Sequence, residues 1–368
     1  MSFKIIFLNF LFQFSFLVAK HDDDLQERLE GDFNPVETIM HHIADSHEWH
    51  LMGEGENSVT IPLPVILITD VGLISFLSSE FHHDNLAKVV VEKQGLNFVR
   101  YHNKIYYAID HAHDGSYIEH GEDGHEVLNK MPLDFSITKV VAGMFISALL
   151  MVILFYFAGK NYSRGNLVPN GVAKFIEPIV IFVKEDIAIP NIGEKNYRKY
   201  LPYLLTLFFF IWINNLMGLI PGSANVTGNI AITFTLAFIA LVIINVNGKD
   251  TYWKHMINPL GDSMPWAGKL PVYLILVPVE LLGIITKPFA LMVRLFANIT
   301  AGHIIILSLV SLIFIFQTLL MAPVSIALTL FINTLELLVA ALQAYIFTLL
   351  TALFIGMAVE EHDEEDAH

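Results

Sequence analysis

Residues 280–303 read "ELLGIITKPFALMVRLFANITAGH", and the fold turns on the arginine at position 294. From Leu270 to Val359 the chain is apolar except for four formal charges, Glu280, Lys287, Arg294 and Glu336. An arginine at membrane depth costs at least about 2.5–3.5 kcal/mol on insertion scales, so its presence needs a reason. Glu280, Lys287 and Arg294 recur at seven-residue intervals. Seven helical steps of about 100° return to within about 20° of the start, so all three project from one face of one helix, with Asn298 one turn further on. On the last helix Glu336 and Gln343 repeat that spacing around Ala340.

No acid lies three or four residues from Arg294. Its carboxylate is therefore expected from another helix or another chain, because the guanidinium stays charged at any working pH. Small residues beside it, Ala297, Ala301 and Gly302, suit the close approach of a second helix. A carboxylate brought up to that cation has its pKa lowered and gives up its proton. His303 lies nine residues on, half a turn around the helix and about 13 Å along it. It is expected to open onto a separate water path and, with Glu336, to relay protons. For Lys287 and Glu280 the plainer role of holding helices together by ion pair or hydrogen bond stays open.

Beyond this block, the 368 residues are 54% hydrophobic and only 15% charged, against about 25% charged in soluble domains, and mean hydropathy is +0.56. Up to Asp134 there are 22 acids and 8 bases; the remainder holds 14 acids and 13 bases. The acidity thus belongs to the N-terminal region. Nothing resembles a basic patch, which disfavours a nucleic-acid partner, and the absence of cysteine excludes disulfides and thiolate metal sites.

The opening "MSFKIIFLNFLFQFSFLVAK" reads as a signal peptide over residues 1–19, with cleavage near Ala19, or else as an uncleaved signal anchor. Residues 20–134 hold 12 of the 16 histidines. β-type runs at Val59–Thr69 and Asn97–Ile109 predict a small strand-containing extracytoplasmic domain. His41–His42, His82–His83 and "HAHD" at 111–114 have no recognisable metal-ligand spacing and are read as solvated polar surface.

Val140–Gly159 matches one bilayer crossing. Val172–Ile187 is amphipathic and predicts a helix lying in the membrane interface. "LIPGSAN" at 219–225 splits an uncharged stretch into crossings at about 201–220 and 229–246. Pro323 divides the final block into segments of about 45 and 36 residues, which overshoot a bilayer of roughly 30 Å and must tilt or kink, with Pro278 and Pro288 as kink points. The predicted class is therefore an all-α polytopic membrane protein of about five crossings, two of them long and tilted, with an N-terminal strand-containing extension. Seven Lys/Arg in 157–200 and three in 247–270, against none in 221–228 and 317–323, place the first two segments in the cytoplasm. The extension then lies outside, and the acidic tail 360–368 inside.

"KPFALMVRLFANITAGHIIIL" and "TLELLVAALQAYIFTLLTALFIGMAVEEH" together strongly resemble subunit a of F-type ATP synthases, and "INNLMGLIPGSANVTGNIAITFTLAF" resembles that family's middle hairpin. The resemblance covers roughly residues 135–361. It implies a stator subunit of the bacterial inner membrane, without catalytic activity or cofactor of its own, standing beside a ring of c subunits and held by b subunits of a peripheral stalk. By the same resemblance Arg294 faces the ring and Asn298 is a polar channel residue beside it. Glu280 belongs to the cytoplasmic half-channel, while His303 and Glu336 pair in the opposite one. Gln343 approaches the arginine from the last helix. Gly218 stands where some relatives carry an acid, and the acidic extension is outside the common core. A secondary transporter would show two similar halves, and an intramembrane enzyme a nucleophile–base pair or metal ligands; neither pattern is present.

Overall fold

Each of the two β-type runs breaks in two for a local reason. The first is interrupted at Leu63, between Pro62 and Pro64, whose rings offer the ladder no N–H; the Leu63 amide is taken instead by Ser78 Oγ at 3.0 Å. The second turns at His102–Asn103, both at positive φ (46° and 62°), the two-residue turn whose twist suits a hairpin. In the computed structural model, which describes residues 43–52, 59–110, 115–121, 126–163, 168–220, 222–258, 266–316 and 321–360, these runs become four of eight strands. The expected signal segment, His41–His42, 111–114 and the tail beyond Glu360 lie outside the described residues.

Strands β1 (Glu48–Met52) and β2 (Val59–Pro62) pair antiparallel. β3 (Pro64–Thr69) is the centre of an antiparallel sheet ordered β4–β3–β8, with β4 at Gly72–Leu77 and β8 at Leu133–Asp134. A third sheet joins β5 (Val91–Lys93), β6 (Leu96–Tyr101) and β7 (Lys104–Tyr107). Alternation on β3 and β4 sends Val65, Leu67, Ile74 and Phe76 into a core shared with Phe81, Val91, Phe98 and Ile105. β6 is buried on both faces: Phe98 enters that core and Val99 a second one with Ala87, Tyr106 and Ile118. Arg100, only 3% exposed, pairs with Glu48 at 2.7 Å and donates from Nε to the Asp84 carbonyl at 2.7 Å. His83 donates from Nδ1 to the other Glu48 oxygen at 2.8 Å.

Helix α1 (Lys139–Ser163) begins five residues after β8. α2 (Val172–Phe182) runs without a break into a π-helical turn Val183–Ala188 and α3 (Ile189–Ile192). Val183, Ile187 and Ala188 are buried while Glu185 and Asp186 face out, as an amphipathic helix at a membrane surface requires. α4 (Tyr197–Gly218) and α5 (Ile230–Val246) form the middle hairpin. A short α6 (Asp250–Ile257) precedes α7 (Trp266–Ile315) and α8 (Ala322–Val359). By length and composition α1, α4, α7 and α8 suit membrane crossing, and α5, with 17 residues, is the shorter fifth candidate. α7 has 50 residues and α8 has 38, about 75 Å and 57 Å of helix. Pro278 and Pro288 lie inside α7 without ending it, and Pro323 opens α8 in its first turn, where its missing N–H is harmless.

Chain contacts define two units. The first combines the described residues up to Ile146 with Met217–Val226 and Ser311–Ala322. Its strap is the segment 44–51. The Lys139 backbone N–H donates to Ser46 O at 2.8 Å, its Nζ donates to Ala44 O at 3.1 Å, and Asp45 caps the Val140 amide at 3.1 Å. Trp49 Nε1 donates to Gly222 O at 2.6 Å. Gly222 has φ +77°, and a Cβ there would sit 2.8 Å from the Leu51 carbonyl oxygen, so only glycine fits this turn. The second unit holds the rest of the helices.

Asp134 accepts from His47 Nε2 at 2.8 Å and from the Ser136 amide at 2.8 Å. Burial works against its charge, yet these hydrogen bonds outweigh burial and hold the carboxyl below its usual range. A carboxyl lowered in the folded state stabilises the fold above about pH 4, and that contribution is lost as pH falls through the lowered pKa. Asp134→Asn is therefore expected to lower the N-terminal calorimetric transition at neutral pH and to flatten its fall below about pH 4; an unchanged transition at neutral pH would show that the pair contributes nothing.

Candidate functional site

Contacts among the described residues pack the long helices antiparallel. Ser325 Oγ donates to the Leu309 carbonyl near one end. Gly302 faces Glu336 further along, and Lys287 Nζ stands 5.2 Å from the centroid of the Phe354 ring beyond that. From Leu309 to Lys287 is 22 residues, about 33 Å of helix, so the seam runs the thickness of a bilayer.

At Gly302 the two helices approach closely. A Cβ added there would lie 1.6 Å from Glu336 Oε1 and 2.6 Å from its carboxyl carbon. The missing side chain is what admits the carboxylate. Both Glu336 oxygens are buried and have no hydrogen-bond partner among the described residues. Such a group is costly to leave unmet and marks a place where water, a proton or a partner belongs. His303, half-buried, follows Gly302 on α7, so the structure brings the expected His303 and Glu336 to the same helix crossing.

Arg294 is half-buried on α7, and no carboxylate lies within salt-bridge distance of it among the described residues. Around it Ala290, Ala297, Asn298 and Ala301 are exposed in this chain. Their spacing puts them on one helix face with the arginine, a strip of small residues suited to close helix packing. Gln343 is 4% exposed on α8, one residue from buried Ala344 and three from fully buried Ala340.

Glu280 is half-buried near the other end of α7. Tyr252 on α6 has its phenol pushed above the usual range, first by burial and then by the Glu280 charge. A small, partly open recess is lined by Tyr252, Asn245, Lys287 and Phe354 among mainly apolar side chains. Tyr252 Oη donates to Asn245 Oδ1 at 3.4 Å. Lys287 thus resolves as a packing cation over Phe354 that also lines this recess.

Sequence reasoning overlooked a buried polar link. Thr227 Oγ1 donates to Asn215 Oδ1 at 2.6 Å, and Asn215 Nδ2 donates to the Ala340 carbonyl at 3.2 Å. Asn215 and Thr227 are fully enclosed. Their signal was available: adjacent asparagines, Asn214 and Asn215, inside an otherwise apolar crossing. The link ties the middle hairpin to α8 midway between Glu336 and Gln343. Among the described residues no three His, Asp or Glu side chains gather as metal ligands.

Residues 141–356 match the family model described as ATP synthase A chain. Residues 38–135 match a separate model described as Domain of unknown function (DUF8433). Similar curated proteins include "ATP synthase subunit a" of Chloroherpeton thalassium, 45% identical over 269 residues and covering 70% of this chain and 78% of that one. "ATP synthase subunit a 2" of Chlorobaculum tepidum is 48% identical over 239 residues, 64% of this chain and 66% of its own. "ATP synthase subunit a" of Myxococcus xanthus is 43% identical over 256 residues, 68% and 81% respectively.

Asn215→Ala removes both bonds of the buried link and leaves the Ala340 carbonyl without this donor. It is expected to destabilise the helical unit by about 0.6–2 kcal/mol, read as a lowered thermal midpoint of the purified protein in detergent, with Thr227→Val giving part of the same loss.

Proposed function

Because the chain belongs to the ATP synthase A chain family, we propose that it acts as the stator of a rotary proton channel, in which Arg294 couples two half-channels to a turning ring of c subunits. The observation that carries this reading is the arginine itself. It is a permanent cation on an apolar helix, set in a strip of alanines and without a carboxylate of its own among the described residues. A carboxylate-bearing helix that comes and goes answers all three features at once.

One path runs past His303 and Glu336, whose oxygens lack protein hydrogen-bond partners among the described residues and so suit an exchangeable proton. A proton delivered there neutralises a ring carboxylate, which can then turn into lipid; a charged one could not without prohibitive cost. After nearly a full turn the carboxyl meets Arg294 from the other side. The cation lowers its pKa, and the proton leaves past Glu280. Asn298 and Gln343 supply polar contacts around the arginine. Each proton crossing 100 mV releases about 2.3 kcal/mol. Arg294 also opposes direct leakage, since a proton passing between the two paths must approach a fixed positive charge.

In this reading residues 135–359 are the working membrane domain, held by b subunits of a peripheral stalk in the inner membrane. Residues 20–134 form an extracytoplasmic addition behind a signal segment at 1–19, and 360–368 a cytoplasmic tail. The chain carries no ATP chemistry of its own.

Arg294→Ala is expected to abolish ATP-driven proton pumping into inverted vesicles while leaving assembly of the complex intact; coupled pumping in that variant would overturn the assignment. Glu336→Gln is expected to slow passive proton conduction by at least about tenfold, measured after removal of the soluble ATPase head.

A further inference from the structure

Among the described residues the strand-bearing unit leaves one sheet face uncovered, and its register defines that face. Ile68 on β3 stands opposite Leu73 on β4 and Leu133 on β8, and Pro64 opposite Leu77. Pairing continues past β8, because the Phe135 amide donates to Ile66 O at 2.9 Å and the Ile137 amide to Pro64 O at 3.0 Å. Side chains two residues apart share a face, so Ile66, Ile68, Leu73, Leu77, Leu133 and Phe135 all lie on one side. The other side is the core, with Val65, Leu67, Ile74 and Phe76 buried. On the open side Leu73 is 64% exposed, Leu133 65% and Phe135 64%. Among the described strand residues of that face Ser75 is the only polar side chain, and none is charged. An uncharged face with this many exposed large side chains marks an interaction surface.

Its occupant follows from where the chain goes next. The sheet pairing ends at Ile137, two residues before α1 begins at Lys139. Phe135 is four residues from that helix start, at most about 14 Å of chain. The start is itself pinned to the strap through Ser46 and Ala44. Within the same unit the first turns of α1 expose Phe145 and Ile146. The sheet is thus tied, within two residues of its last pairing, to the start of a helix suited to membrane crossing.

We propose that this face rests on the lipid surface beside α1, with Leu73, Leu133 and Phe135 at the headgroup–acyl boundary, so that the added domain is a membrane-seated collar and not a freely solvated one. The inference goes beyond the stator reading and requires only that α1 crosses the membrane.

The chain has no cysteine, which makes single-site labelling clean. Nitroxide labels are placed at Leu73→Cys, Leu133→Cys and Phe135→Cys in the assembled complex, with cysteine-free partner subunits, in phospholipid vesicles. Phe145→Cys on α1 serves as the lipid control and exposed Glu92→Cys on β5 as the water control. The expected result is an oxygen-to-nickel-chelate collision ratio several-fold above that of Glu92→Cys and close to that of Phe145→Cys. A ratio equal to that at Glu92→Cys would place the face in water and overturn the proposal. Low collision rates with both reagents would mean that protein covers the face, and would overturn it equally. All three positions are exposed, so the substitutions leave the core intact.

Discussion

A guanidinium held inside an apolar span, with no carboxylate of its own chain within reach among the described residues, is the constraint around which the helical unit is arranged. In the proposed reading no described residue neutralises Arg294, and the helix that bears it presents it to a partner outside the chain. The proposed reading gives the alanines on its face a role. Larger side chains would hold a partner helix too far away for the ion pair on which the proposed cycle depends.

The same helix meets different demands along its length. At Gly302 it gives up a side chain so that Glu336 can press against it, and at Lys287 it lays a cation over Phe354. Asn215 reaches from the middle hairpin to the Ala340 carbonyl, fixing α8 between its two polar residues. These contacts are spread along the seam, so the position of one carboxylate depends on packing at several levels. In the proposed cycle such fixity matters, because proton transfer tolerates little displacement.

The added domain obeys a different logic. Its segment 44–51 ties the start of α1 to the turn at Gly222, and its Glu48–Arg100 pair joins the first strand to the third sheet. Burial of a guanidinium in so small a domain is tolerable because Glu48 and the Asp84 carbonyl take its donors. The domain and the loop at 217–226 therefore behave as one unit.

Much of this was legible from one dimension. Apolar length and charge spacing determined the crossings, the two overlong helices and the shared face of Glu280, Lys287 and Arg294, because a bilayer imposes a length and a helix imposes a period. The β-type runs were visible too, but their breaks were not: they depended on where Ser78 and a positive-φ turn happened to fall. Asn215, Thr227 and Tyr252 escaped notice because their partners lie on other helices, far away in sequence. Only the tertiary structure set Glu336 against Gly302 rather than against some other small residue. Periodicity says which face a residue takes, whereas the register between two helices is decided by side chains that must interlock.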